Sequence, residues 1–211
     1  MKGLFISGSG TNVGKTFVAS QLVKILSETR LVSVRKPVES DCERSNAQLV
    51  TKDAVLLSKA SNVKESIDTV CRYQFEACAS AEIASKEIGV ELGLSHLLQA
   101  CDADEFVVIE GAGGLLSPMA TQVLNADLMA ALKLPVVLVV KDELGAVNQA
   151  LLSINSAKNY QLDVCMLVLN QISPNTLNNA QAISQYTNVK VVVFNTDKPE
   201  DFNHQVREIL V

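Results

Sequence analysis

The sequence predicts an α/β fold: a doubly wound, mostly parallel sheet with helices on both faces. Three observations carry that prediction. Short runs are apolar at nearly every position, longer amphipathic segments lie between them, and the two alternate along the chain. Parallel strands joined through helices need right-handed crossovers, which produce the doubly wound arrangement.

The apolar runs fall at residues 4–6, 31–34, 106–109, 136–140, 165–169 and 189–194. Each is short enough for a strand, and several are apolar at nearly every position, as strands covered on both faces are. Residues 16–29, 146–158 and 177–185 have helical spacing of apolar positions. The stretch 41–104 is less regular, with helices expected at 53–60 and 79–87 and a connection around 71–75. No linker, repeat or low-complexity tract interrupts residues 1–211, so one domain is expected.

Composition narrows the function classes. With 211 residues, 48% hydrophobic and 19% charged, the chain can bury a sizeable core. A net charge of −5 without a basic stripe argues against a nucleic-acid partner. Five scattered cysteines, none in a C-x-x-C pair, suit reduced thiols rather than a disulfide framework. No stretch approaches the roughly 18 apolar residues of a membrane span, and Met1-Lys2-Gly3 leads directly into a strand without a signal-peptide pattern. The expectation is a cytoplasmic protein with no membrane partner.

In a sheet of this kind ligands sit beyond the carboxyl ends of the strands, so residues that follow strands hold the chemistry. "SGSGTNVGKT" follows the first run and opens a helix. The common phosphate-loop pattern G-x-x-x-x-G-K-[ST] fits Gly14, Lys15 and Thr16, but its first glycine falls on Ser9, and Gly8 lies one residue earlier. This is a P-loop NTPase-like site lengthened by one residue. Backbone N–H groups there face phosphate, Lys15 neutralises the β- and γ-phosphates, and Thr16 offers a hydroxyl to Mg²⁺. Lys36 follows the second run in "VRKPVES", where Pro37 ends the strand and leaves Lys36 facing the same crevice. Ser40 stands a little further on as a possible substrate partner. Glu110 ends "FVVIE" ahead of "GAGGL", well placed for Mg²⁺, with Gly111, Gly113 and Gly114 allowing close backbone approach. Asp53 is either a second magnesium carboxylate or part of the helix start with Thr51 and Lys52. Asn170 is either a nucleobase contact or an ordinary turn asparagine. His96 and His204 are isolated and form no metal or triad spacing.

With "GTNVGKT", "KPVES", "KDA" and "VIEGAGGLLSP" in this order, the chain resembles the dethiobiotin synthetases from its first strand to about Asn170. The resemblance implies 7,8-diaminopelargonate, CO₂ and ATP as substrates, Mg²⁺ as cofactor and a homodimer. It implies carbamate formation, phosphorylation to a carbamic–phosphoric anhydride, and ring closure by the second amine. It further implies Lys36, Lys15 and Thr11 at the reacting centre, Ser40 on substrate, and Thr16, Asp53 and Glu110 about Mg²⁺. Asn12, Val13, Gly14 and Phe17 would belong to the nucleotide site, with Gly111, Ala112, Gly113, Asn170 and Gln171. Gly145, Ala146, Val147 and Asn148, at a helix start, would hold the substrate carboxylate at the subunit interface.

The sequence departs from the family pattern at Asn12, where an acidic residue is common, and in "EACASAEIAS", which lacks the usual prolines. It also departs in "VVVFNTDKPEDF", which does not match the usual base-contacting segment. Related sheets with deviant phosphate loops serve as nucleotide-switched partition or maturation ATPases. Many of those carry a further lysine near the positions of Ser9 and Gly10, which this chain does not. Amidating enzymes of cobalamin-type pathways are a third class, with a glutaminase domain that this length does not accommodate.

Overall fold

The structure, a computed structural model, describes residues 2–46 and 48–211. In chain order the elements are β1 (Gly3–Gly8), α1 (Lys15–Leu26), β2 (Val32–Arg35), β3 (Val38–Glu39), β4 (Glu43–Ser45), β5 (Gln48–Val50), α2 (Lys52–Ala60) and α3 (Ile67–Val70). There follow β6 (Tyr73–Gln74), α4 (Ala81–Glu87), α5 (Leu94–Ala100), β7 (Phe106–Glu110), β8 (Pro118–Ala120), β9 (Val123–Leu124) and α6 (Asn125–Leu132). The chain closes with β10 (Val136–Lys141), α7 (Ala146–Asn159), β11 (Val164–Gln171), α8 (Asn179–Ser184), β12 (Val191–Asn195) and α9 (Pro199–Leu210).

The main sheet has six strands in the order β12-β11-β10-β1-β7-β2, every neighbour parallel. β1 is central, and the winding changes sides beside it, the position where such sheets open a crevice. Alternate residues of each strand face opposite layers. Phe5, Ile109, Leu138 and Leu167 join one buried cluster, while Leu4, Ile6, Val108, Val137 and Val168 join the other. Burial on both faces explains why most of these runs are apolar at nearly every position.

All six apolar runs are strands of this sheet, the last beginning two residues later than the sequence pattern, at Val191. The first helix is shorter than the periodicity indicates, ending at Leu26. The connection near 71–75 is the small strand β6, paired with β3. Four helices escaped the pattern: α3, α5, α6 and α9. α9 buries Phe202, Val206 and Leu210 in the cluster that also holds α1 and β12 side chains. No helix of the described residues is long and apolar enough to cross a membrane.

Candidate active site

The site forms where β1, β7 and β2 end side by side. Gly14 takes φ 86° to turn the loop into α1, a conformation only glycine adopts without strain. Space demands glycine as well, since a Cβ there would lie 1.9 Å from Asn170 Nδ2. That amide donates to the Val13 carbonyl at 2.9 Å, so the end of β11 braces the loop. Asn12 is also left-handed, φ 58°, which asparagine tolerates better than most residues. Ser9 Oγ donates to Gln149 Oε1 at 3.0 Å, tying the loop to α7.

The glycine segment after β7 packs directly on the loop: a Cβ on Gly114 would come within 3.3 Å of the Gly10 backbone. Asn125, fully buried at the start of α6, holds this segment by donating to the carbonyls of Ala112 at 2.5 Å and Gly114 at 2.8 Å. The Gly114 N–H donates to Ser117 Oγ at 2.8 Å.

Lys36, Asp53, Glu110 and Thr16 meet at the centre. Lys36 Nζ lies 2.6 Å from Glu110 Oε1 and 2.8 Å from Asp53 Oδ2, short enough for charge-assisted bonds. Thr16 Oγ1 donates to the same Glu110 Oε1 at 2.9 Å. Glu110 is fully buried, and among the described residues its Oε2 has no partner. Burial pushes the Glu110 carboxyl up, with Lys36 opposing. For Lys36 burial pulls downward, but Glu110 and Asp53 together hold the ammonium above the usual lysine range. Asp53, less enclosed, is pushed up by burial yet held below the usual carboxylate range, chiefly by Lys36 and to a lesser degree by Thr16. Lys15 Nζ donates to the Gly10 carbonyl at 2.8 Å. Burial, and then the charge of Lys36, lowers Lys15 to about 8.

A divalent cation fits this donor set. Glu110 presents an unsatisfied buried oxygen, Asp53 a carboxylate 37% exposed to the cleft, and Thr16 a hydroxyl between them. The set is two carboxylates and a hydroxyl; no group of three or more His, Cys, Asp or Glu side chains with metal-site geometry occurs among the described residues.

These groups open into one cleft of about 950 Å³. Thr11, Asn12, Gly14, Lys15, Thr16 and Phe17 line it from the loop side, and Lys36, Ser40, Asp53, Glu110, Ala112, Gly113 and Asn170 from the rest. Val13 lies buried behind the loop, and Gly111 donates its N–H to the Ile6 carbonyl inside the sheet edge. Gln171 bridges Asp142 and Asn195 and is not on the cleft wall. Gly145, Ala146, Val147 and Asn148 begin α7, also away from the cleft wall. Glu39, which lines the cleft, and Asn125, which holds the glycine segment, were not anticipated; Phe194 and Thr196, in the segment that departs from the usual base-contacting pattern, also line the cleft.

A family model described as an AAA domain matches residues 2–193. The chain is 62% identical to the ATP-dependent dethiobiotin synthetase BioD of Vesicomyosocius okutanii, over 100% of this chain and 98% of that one. It is likewise 62% identical to the protein of the same description in Ruthia magnifica, over 100% and 99%. Among solved structures, the apo McdA of Cyanthece aligns over 100% of both chains with TM-score 0.61 at 12% identity. A ParA family ATPase from Chlorobium tepidum aligns over 100% of this chain and 92% of its own, with TM-score 0.56 at 13% identity. At such identities the likeness is one of fold.

Proposed function

The chain belongs to the ATP-dependent dethiobiotin synthetase family, and from that premise we propose how its residues divide the work. It is an ATP-dependent ligase acting on small molecules. The finer reading has 7,8-diaminopelargonate and CO₂ as the other substrates and dethiobiotin, ADP and phosphate as products. One amine adds to CO₂ and loses a proton, giving a carbamate. A carbamate oxygen then attacks the γ-phosphorus, and the bond to the ADP oxygen breaks. Finally the second amine attacks the carbamoyl carbon, phosphate leaves, and a cyclic urea forms.

No protein nucleophile is needed, so positioning and charge stabilisation carry the steps. Lys15, on the loop, binds the β- and γ-phosphate oxygens. Lys36, already gathered among carboxylates at the end of β2, turns its ammonium to the carbamate and to charge that builds on the transferring phosphoryl group. Thr11 and Ser40 orient the amine substrate, and Asn170, with one amide hydrogen on the loop, keeps its oxygen for the nucleobase. Thr16, Asp53 and Glu110 would hold Mg²⁺, which would supply positive charge against the phosphates. The Gly145–Asn148 helix start serves the substrate carboxylate across a homodimer interface, and the nearly bare Leu144, 88% exposed, is consistent with a partner there.

The single observation behind this assignment is Glu110 Oε1, which receives both Thr16 from the phosphate loop and Lys36 from β2. ADP release measured with and without diaminopelargonate and bicarbonate tests it: release that depends on both supports the ligase mechanism. Steady hydrolysis indifferent to both would restore the switch-ATPase reading, which the two relatives at 62% identity disfavour.

A further inference from the structure

Glu39 belongs to no nucleotide or metal pattern in the sequence, yet it is buried in the cleft wall, 6% exposed. It stands on β3, and its own carbonyl accepts from the Phe75 N–H at 2.8 Å, fixing the strand against β6. Its carboxylate reaches across to α2. Oε1 accepts the N–H of Asp53 at 3.0 Å, and Oε2 accepts that of Ala54 at 3.0 Å.

Those N–H groups belong to the second and third residues of the helix and have no carbonyl within it to bond. Capping them is ordinarily the task of the residue before the helix. Thr51 occupies that place, but its side chain makes no capping bond, and its Oγ1 is buried without a partner among the described residues. The first turn of α2 is therefore capped from another element. In that turn stands Asp53, its backbone held by Glu39 and its carboxylate on Lys36.

We propose that Glu39 is a positioning residue for Asp53, clamping the first turn of α2 so that the Asp53 carboxylate faces Lys36 and Glu110. The proposal rests on the reading of Asp53 as a magnesium-side carboxylate. Both Glu39 oxygens are taken by backbone donors, so Glu39 acts through Asp53 and not on the reactants. Loss of the clamp frays the helix start and lets Asp53 leave its place, while Lys36, Lys15 and Glu110 keep theirs.

The test is the Mg²⁺ concentration that half-saturates ADP release in the full reaction, with thermal unfolding recorded for each variant. Glu39→Ala is expected to raise that concentration about fivefold, the ratio corresponding to a lost helix cap, with kcat at saturating Mg²⁺ largely kept. Glu39→Gln, which retains one acceptor oxygen, gives a smaller rise and carries the same test should the alanine variant not fold. In an Asp53→Asn background Glu39→Ala adds no further rise. Thr51→Asp, which supplies a cap from the local position, restores the Glu39→Ala enzyme. The proposal is overturned if Glu39 variants leave Mg²⁺ dependence unchanged, if their effect persists without Asp53, or if they lower kcat at every Mg²⁺ level with no rescue by Thr51→Asp. Asp53→Asn with unchanged Mg²⁺ dependence would instead overturn the magnesium reading, and with it the purpose given to Glu39.

Discussion

Replacing Lys36 with methionine keeps the reach of the side chain and removes its charge. Lys36 Nζ is the cation between a fully buried Glu110 and a partly exposed Asp53. Without it, among the described residues, Glu110 Oε1 retains only the neutral Thr16 hydroxyl and Oε2 has no partner. Removing one partner of a buried ion pair costs about 3–5 kcal/mol, and the exposure of Asp53 places Lys36→Met near the lower end. For a chain of this size about 3 kcal/mol lowers the melting temperature by roughly 6–12 °C. Mg²⁺ could take up the charge that Lys36 leaves uncompensated. Scanning calorimetry of both proteins, with and without Mg²⁺ and without nucleotide, reads this directly. The variant should melt lower in Mg²⁺-free buffer and regain much of the loss with Mg²⁺, while the wild type barely responds. Turnover at saturating Mg²⁺ and ATP should still fall by about 10² or more, because charge on the phosphoryl group loses its counterion. Equal melting temperatures without Mg²⁺, or equal responses to it, would refute the reasoning.

Three further outcomes follow from the same geometry. Lys15 sits near 8 in the unliganded protein, and a bound triphosphate favours its charged form, so nucleotide binding at about pH 8.5 should take up protons; calorimetry in buffers of different ionisation enthalpy measures this, and equal uptake by Lys15→Met would exclude Lys15 as the source. The unfolded chain holds the Lys15 proton up to about 10.5 and the folded one only to about 8, so this residue's contribution to stability rises with pH across that window. Gly14→Ala places a Cβ against Asn170 at positive φ, and the strain should raise the KM for ATP about tenfold or more; Gly14→Ala/Asn170→Ala, which frees the space but not φ, should recover only part. Glu110→Gln should raise the half-saturating Mg²⁺ about tenfold while Asp53 keeps Lys36 paired, and an unchanged magnesium titration would remove Glu110 from the site.

The strands of the sheet were legible because burial on both faces leaves a signature at every residue, as in residues 136–140. Lys15, Lys36 and Glu110 were legible because each follows such a strand. Glu39 was not, because its importance comes from a carboxylate crossing from β3 to another element, and nothing local marks that pairing. Asn125 reads as an ordinary helix start until the fold turns it onto the Ala112 and Gly114 carbonyls. α9 did leave a signal: Pro199 at the first turn, Glu200 and Asp201 beside it, and Phe202, Val206 and Leu210 four apart. The exposed hairpin of β4 and β5 has no buried face, so its apolar pattern is weak.

The strand order has a consequence for how the protein is made. β1 and β2 are not neighbours; β7 lies between them, and β1 has β10 on its other side. A nascent chain therefore holds two strands destined for burial with no partner in the main sheet until residues 106–110 have been synthesised. At about 5–20 residues per second, that interval is roughly 5–20 s after β1 is made. When β7 slots in, it brings Glu110 between Thr16 on one side and Lys36 on the other, so both contacts arrive in one event. Until then the nascent chain can hold the Lys36–Asp53 pair but not the buried carboxylate that joins it to Thr16.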